Sequence, residues 1–422
     1  MSTAKALVPE YMTQFQCIGS TCEDSCCIGW KVVMDKKTYQ NLSNVPHKQL
    51  RETFKNGSVK REQKVRTDDQ FAMMKMDAET GCCSMLNEQK LCNIHASIGE
   101  NYLAPICATY PRNIHYVNEQ QEISAVMSCP EAARLALLNP DKMAFTYVEP
   151  VEYGNALIKA NIFPERQSAN YMGAFWPIRI FVIEILQSRE FSFPHRMLVL
   201  GLFCEQLQQL ISQGMDQEDK VQDLIERFKI MMTTNEELRN FDTFPTNSEF
   251  QFITLNNIVS KNLNNIGSNE RFRECIRDYL EGMNPSELEN RTEANVVDRY
   301  DQAYMDYYKP FMDEHEHIFE NYAVNFMFSH LFPKNNSRNV FKIYTILVSH
   351  YVLMKLLLIG MSAKHQGLTA QLVVKLIQTF TKTSEHSNQY VDNILEFLTA
   401  NQYGTVGHMS LLIKNGLGEV AK

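Results

Sequence analysis

Nine cysteines crowd the first third of the chain, and beside Cys82 eight carry the pattern, as Cys17, Cys22, Cys26 and Cys27 and then Cys83, Cys92, Cys107 and Cys129. Thiols at this density are cross-linked, bound to a metal or buried, so they restrict the fold more than any other feature of the 422 residues. The disulfide alternative is the weakest. The opening MSTAKALVPEYMTQFQC has neither an apolar h-region nor a small-residue cleavage pattern, so the expected compartment is the reducing cytoplasm. Disulfide frameworks also belong to small domains that lack a core, whereas 422 residues with 44% hydrophobic content can bury a large one. All eight thiols therefore read as candidate metal ligands.

Their spacing bears on which metal. Structural zinc sites usually bring ligands in two pairs, with about two to four residues between partners. This chain reads C-x4-C-x3-C-C and, after a long gap, C-C-x8-C-x14-C-x21-C. Single ligands spread over several loops favour a [4Fe-4S] cluster, which needs four thiolates at no fixed spacing, with zinc as the alternative. Adjacent residues of an extended chain point in opposite directions, so Cys26 and Cys27 serve one site only from a turn, which Gly29 permits. Otherwise one ligates while the other packs, or each faces a different site. Eight thiolates suffice for two four-thiolate sites, and the spacing leaves one and two open. His95 and His115 are candidate substitutes for a thiolate.

Beyond Cys129 only Cys204 and Cys275 occur, each in a helical context that reads as core filling. The composition divides the chain into a cysteine-rich metal-cluster domain over 1–150 and an all-helical domain over 151–422, with a possible subdivision near 233–300. The first part is expected to be loop-rich and organised by its metal, with turn signals at Ile18-Gly19-Ser20, Asn56-Gly57-Ser58 and Thr80-Gly81. In the second, Val221, Leu224, Ile225 and Phe228 fall at helical spacing. So do Leu372, Val373, Leu376, Ile377 and Phe380, and Tyr390, Val391, Ile394 and Leu398. Further helices are expected over Met197–Ile211 and Ala303–Phe328, and connections over Thr233–Glu249 and Asn284–Arg299. No alternation of strand and helix signals supports a doubly wound sheet, so the predicted class is mainly α. The near-continuous apolar run Tyr344–Met361 carries His350 and Lys355 and lacks flanking anchors, so it reads as a buried helix and no membrane partner is expected. A net charge of −8 and a pI near 5.8 argue against a nucleic-acid partner.

The strings Phe15-Gln16-Cys17 and Cys22-Glu23-Asp24-Ser25-Cys26-Cys27-Ile28-Gly29-Trp30 resemble the opening of the bacterial flagellin lysine-N-methylases. A second block is similar to that family and to small bacterial proteins with zinc- or iron-chelating cysteine domains: Cys83-Ser84-Met85-Leu86, Leu91-Cys92-Asn93-Ile94, Cys107-Ala108-Thr109-Tyr110-Pro111-Arg112 and Ser128-Cys129-Pro130-Glu131. The resemblance continues through Phe175-Trp176-Pro177-Ile178-Arg179, Arg196 to Gly201, Glu320-Asn321-Tyr322, Leu331-Phe332-Pro333 and Glu385-His386-Ser387. It implies methyl transfer from S-adenosylmethionine to lysine ε-amines of flagellin, assisted by a [4Fe-4S] cluster. The competing class is a non-catalytic iron- or zinc-binding or redox-sensing protein whose helical domain binds a partner. Two residues depart from the pattern. Cys82 is an extra cysteine beside Cys83, and Lys382 stands where an arginine is expected, which keeps the charge but loses the planar fork.

The donor and lysine sites are not legible. The glycine-rich turn of a nucleotide-type fold is missing, and Gly416-Leu417-Gly418 is a poor substitute near residue 422. A C-x3-C-x2-C radical motif fails because Gly29 occupies its third position. Arg112, Glu385, His386 and the run Asp313-Glu314-His315-Glu316-His317 are polar candidates, each with a structural alternative: a salt bridge, a helix cap, or an exposed helix face.

Overall fold

The computed structural model describes residues 5–150, 155–167, 169–234, 241, 244–262, 269–283, 293–334, 337–384, 388–401 and 403–415. Chain contacts separate two compact units, the first drawn mainly from residues up to 135 and 144–162, the second from 136–143 and from 163 onward.

In the first unit, a two-residue turn at Asn118-Glu119 sets the main sheet. Both residues have positive φ, 48° and 67°, the backbone a tight hairpin with right-handed strand twist demands. The turn joins β5 (Arg112–Val117) to β6 (Gln120–Ala125) in antiparallel register, Arg112 opposite Ala125 and His115 opposite Glu122. Strands β1 (Ala6–Pro9), β7 (Phe145–Val148) and β8 (Ile158–Ile162) complete the mixed order β7-β1-β6-β5-β8. This sheet adds ordered strands to the unit expected to be loop-rich, while the chain is mainly α as expected. Asn113, His115, Gln121, Glu122 and Ser124 are all buried in its central strands, so the apolar alternation that announces a strand is absent from the sequence.

A smaller antiparallel sheet orders β2 (Val33–Met34), β4 (Ala72–Met74) and β3 (Ser58–Lys60) as β2-β4-β3. Short helices flank these strands: α1 (Tyr11–Gln14), α2 (Lys36–Ser43) and α3 (Lys48–Gly57). The carboxylate of Asp35 caps α2 by accepting from the Thr38 amide, and His47 Nδ1 accepts from the Leu50 amide to cap α3. Farther along come α4 (Asn93–Ile98), α5 (Pro105–Thr109) and α6 (Pro130–Leu137).

The second unit is helical. Its elements are α7 (Phe175–Leu186), α8 (Phe193–Ser212), α9 (Glu218–Thr234), α10 (Ser248–Asn262), α11 (Glu270–Met283) and α12 (Glu293–Ala303), a π-helical turn at Tyr304–Tyr308, then α13 (Lys309–His315) and α14 (His317–Ser329). The last are α15 (Val340–His365), α16 (Ala370–Ser384), α17 (Asn388–Ala400) and α18 (Val406–Ile413). The stripe of α9 is buried as its spacing predicts, and so are Val373, Leu376, Ile377 and Phe380 of α16 and Ile394 and Leu398 of α17. The side chains of Tyr390 and Val391 lie outside the described residues. Of the two expected connections, Thr233-Thr234 still belong to α9, Ser248-Glu249 already to α10, and 293–299 to α12; positions 235–240, 242–243 and 284–292 lie outside the described residues.

Helix α15 is the axis of this unit. It is long and apolar enough to cross a membrane, but 94% of its most apolar window is buried inside the protein. Two glycines let α11 come close to it. A Cβ on Gly282 would lie 1.8 Å from the Gly360 carbonyl oxygen, and one on Gly360 would lie 2.3 Å from the Tyr279 ring. Polar groups in so apolar a setting have specific partners. Lys355 Nζ donates to the Ile413 carbonyl at 2.8 Å, and Gln251 of α10 donates to the carbonyls of Leu412 and Lys414. Together they satisfy acceptors that the end of α18 leaves open.

A buried ion network anchors the turn between α7 and α8. Glu320 of α14, fully buried, accepts from Arg189 at 2.8 and 2.9 Å and from Arg196 Nη1 at 2.6 Å. Arg196 also donates to the Leu186 carbonyl and to Glu316, whose other oxygen accepts from the Phe193 amide that opens α8. Removing one partner leaves the other charge buried, at a cost of about 3–5 kcal/mol. Glu320→Ala is therefore expected to lower unfolding free energy by that amount in urea titrations followed by circular dichroism. Lys220→Ala, at a pair exposed by half or more on both sides, is expected to shift it by less than about 0.5 kcal/mol.

His350 gives a pH signature. It is fully buried, its Nδ1 lies 2.8 Å from the Tyr322 hydroxyl, and burial followed by the nearby His330 pushes its pKa down to about 3. The unfolded chain binds this proton below about pH 6.5 and the folded chain does not, so stability falls as pH drops from about 6.5 toward 3, by about 1.4 kcal/mol per pH unit. His350→Gln is expected to flatten that slope by one proton's worth. Parallel slopes for the two proteins between pH 7 and 4.5 would contradict the assignment.

Candidate metal centre

Backbone pairing, more than helix or sheet, places the thiols. The turn after Cys26-Cys27 passes through Gly29 at φ 90°, where the Gly29 amide donates to the Gly81 carbonyl. Ile28 then pairs with Cys82, and the Cys83 amide donates to the Cys27 carbonyl at 2.8 Å. On its other side Cys83 pairs with Met76, while Leu86 pairs with Cys92. Three short segments thus run side by side, with cysteines at the crossing points.

Cys83 is part of a core with Val32, Met34, Leu42, Phe54, Met74 and Met85, against which Cys27, Cys92 and Cys107 pack. Cys82 pairs with Ile28 at the neighbouring position, and alternation turns the two side chains apart. Cys83, the member expected at the ligand position, is the one inside.

Cys92 immediately precedes α4, and the amides of Ile94 and His95 point at its sulfur. Its pKa is lowered, first by the hydrogen bond from Cys27 and then by those amides, while the bonds to Cys26 and Cys92 raise Cys27. Burial raises Cys83 and Cys107, and Cys92, Cys83 and Cys26 are the thiolates whose charge reaches Cys107. Burial likewise raises Cys22, and it pushes Cys129 up to about 12. Cys129 precedes α6, and Cys22 and Cys17 are the thiols whose charge reaches it. A bound metal cation reverses this preference for the protonated form, since thiols deprotonate on ligation.

Among the described residues, no three His, Cys, Asp or Glu side chains surround a common point closely enough to hold a single ion. The set Cys27, Cys83, Cys92 and Cys107 nevertheless fits a thiophilic group: soft sulfur ligands, half-buried or buried, delivered by separate segments to one neighbourhood, whereas Cys17 and Cys26 are exposed.

The other candidates fall elsewhere. His95 is exposed beside Cys92, and His115 is buried in β5 opposite Glu122. Arg112 opens β5 with its guanidinium 5.5 Å from the centre of the Phe15 ring. In the run 313–317, Asp313 pairs with Lys309 and His315 stacks on Phe311, a helix face rather than a ligand set. Glu385, His386, Ser387 and Gly416-Leu417-Gly418 lie outside the described residues. Sequence reasoning placed Arg196, Glu320 and Tyr322 only within the family resemblance and gave these buried groups no role. Their signal was present, since charged and polar residues interrupt apolar helices there, but it does not separate a framework from a site.

Fold and thiols define a two-part class: a cysteine-rich unit built on a mixed sheet, followed by a helical unit with a buried polar framework. Residues 179–412, more than half of the chain, match the model of the FliB lysine N-methylase C-terminal domain, and the chain belongs to that family. It is 28% identical over 159 residues to the lysine-N-methylase of Salmonella typhimurium strain LT2, a stretch covering 38% of each chain. It is 29% identical over 136 residues to the flagellar biosynthetic protein FliU of Salmonella muenchen, covering 32% of this chain and 79% of that one. The chain thus aligns with well under half of the curated lysine-N-methylases' length. No solved structure matches.

Proposed function

We propose that this protein transfers methyl groups from S-adenosylmethionine to lysine ε-amines of flagellin in the cytoplasm, with an iron–sulfur cluster held by its N-terminal thiolates. The observation that carries the reading is the match of residues 179–412 to a lysine N-methylase domain. The name of the FliU relative supports a flagellar substrate.

The reaction sets physical requirements. A lysine ammonium, with a pKa near 10.4, offers no lone pair, and a neutral amine at pH 7 lies about 4.6 kcal/mol uphill. Desolvation lowers that cost, and alignment with the sulfonium methyl supplies the rest. The attacking nitrogen takes the methyl carbon as its bond to sulfur breaks, and the product ammonium releases a proton. His350 is a poor base for that proton, because burial already holds its pKa near 3. Its place in this scheme is structural, through Tyr322.

Cys27, Cys83, Cys92 and Cys107 would hold the cluster, with Cys26 adjacent. When bound, the cluster supplies a one-electron couple and a cross-link between segments that share few backbone hydrogen bonds. The chain's own residues seat the ligands: Cys83 by its amide bond to Cys27, Cys92 at the head of α4, and Cys107 within α5.

Incubation of anaerobically purified protein with labelled S-adenosylmethionine and flagellin is expected to yield methyllysine by mass spectrometry. No label above a control lacking the protein, from a fully metallated preparation, would refute the transferase reading. Cys107→Ser is expected to lower iron content strongly and Cys204→Ser to leave it unchanged, since Cys204 is a single thiol buried among the apolar residues of α8.

A further inference from the structure

Of the eight candidate ligand cysteines, Cys17, Cys22, Cys26 and Cys129 stand outside the Cys83 core, and a separate set of contacts gathers them. The loop that begins at Cys22 is pinned to α6. Glu23 forms a 2.7 Å ion pair with Arg134 of α6, and Arg134 also pairs with Glu131 in the first turn. Cys129 stands directly before that turn, with the amides of Glu131 and Ala132 aimed at its sulfur. The other end of the same loop is tied to the same place. Trp30 donates from its indole to the Cys26 carbonyl, and its ring lies 5.3 Å from that of Tyr110. The Tyr110 hydroxyl is 3.2 Å from Ser128 Oγ, one residue before Cys129.

Cys17 arrives from the third side. Two residues earlier, Phe15 carries the Arg112 guanidinium on its ring, and Arg112 pairs with Ala125 at the end of the β5–β6 hairpin. The Val126 amide continues that hairpin to the Pro111 carbonyl, and the Cys129 amide donates to the Val126 carbonyl. Cys17, Cys22 and Cys129 are therefore brought toward the place where the hairpin ends and α6 begins, and Cys26 is a thiol whose charge reaches both Cys22 and, after Cys92 and Cys83, Cys107.

We propose that the N-terminal unit carries two thiolate metal centres, the first at Cys27, Cys83, Cys92 and Cys107, the second at Cys17, Cys22, Cys26 and Cys129, pinned by the Glu23–Arg134 ion pair. Cys26 stands between the two centres, bonded to Cys27 of the first and acting by charge on Cys22 of the second, and it completes the second set of four. The second centre takes a thiophilic metal, as one zinc ion or as a second iron–sulfur cluster. Helix amides already directed at Cys129 favour its thiolate, and as the metal enters the four thiols lose their protons and close around it in one step. The first centre rests on the function proposed above; the second stands on its own contacts.

Metal analysis of the anaerobically purified full chain decides. Two centres give about eight irons per chain, or about four irons and one zinc. Cys22→Ser/Cys129→Ser is expected to lose one complement and keep the other; Cys83→Ser/Cys92→Ser is expected to do the reverse. A wild-type chain holding about four irons and no zinc overturns the proposal without recourse to variants. So does a Cys22→Ser/Cys129→Ser protein with unchanged metal, an outcome that leaves the first cluster standing. Metal lost only with Cys22 and Cys129, and none dependent on Cys83 and Cys92, instead upholds the second centre and refutes the cluster of the proposed function. Glu23→Gln, which keeps every thiol, is expected to speed release of the second metal to a chelator several-fold while the first is unaffected.

Discussion

The hydrogen bond from the Cys83 amide to the Cys27 carbonyl is the hinge of the N-terminal unit. It joins segments more than fifty positions apart in sequence, and only isolated bridges lie beside it. Closing so long a loop on a few backbone bonds costs entropy that those bonds alone do not return, at about 1 kcal/mol each. The apolar core around Cys83 supplies part of the difference. The cluster proposed above would add ligand bonds across the same segments, making metal binding part of folding.

The helical unit is stabilised differently. Its long axis is hydrophobic, and hydrophobic contact alone would let helices slide or rotate. Arg196, Glu320, Gln251 and Lys355 remove that freedom, because each buried polar group is satisfied in one arrangement only. The family words Glu320-Asn321-Tyr322 and Arg196 thus encode framework: they are charges and hydroxyls placed where a mismatch is costly.

How much was legible follows from these two regimes. The stripes of α9 and α16 could be read from sequence, since burial of one helix face writes a 3.6-residue period. The mixed sheet could not, because Asn113, His115, Gln121 and Glu122 occupy its interior and erase the two-residue period. The cysteines raised the expectation of a metal but not the partition proposed above. That depends on Glu23 meeting Arg134 across more than a hundred residues, a pairing without local signature. The choice of Cys83 over Cys82 rested on spacing alone; in the fold Cys83 is the buried member of the pair and Cys82 the half-buried one.

Helix α15 has a consequence for how the chain is made. A segment of 26 residues this apolar emerges from synthesis before α16, α17 and α18, all of which pack on it, have been added. Until then its surface matches what membrane-insertion and chaperone machinery recognise. The polar marks on it, His350 and Lys355, then act twice. In the nascent chain they weaken the helix as a membrane segment, and in the finished protein they tie it to Tyr322 and to the end of α18.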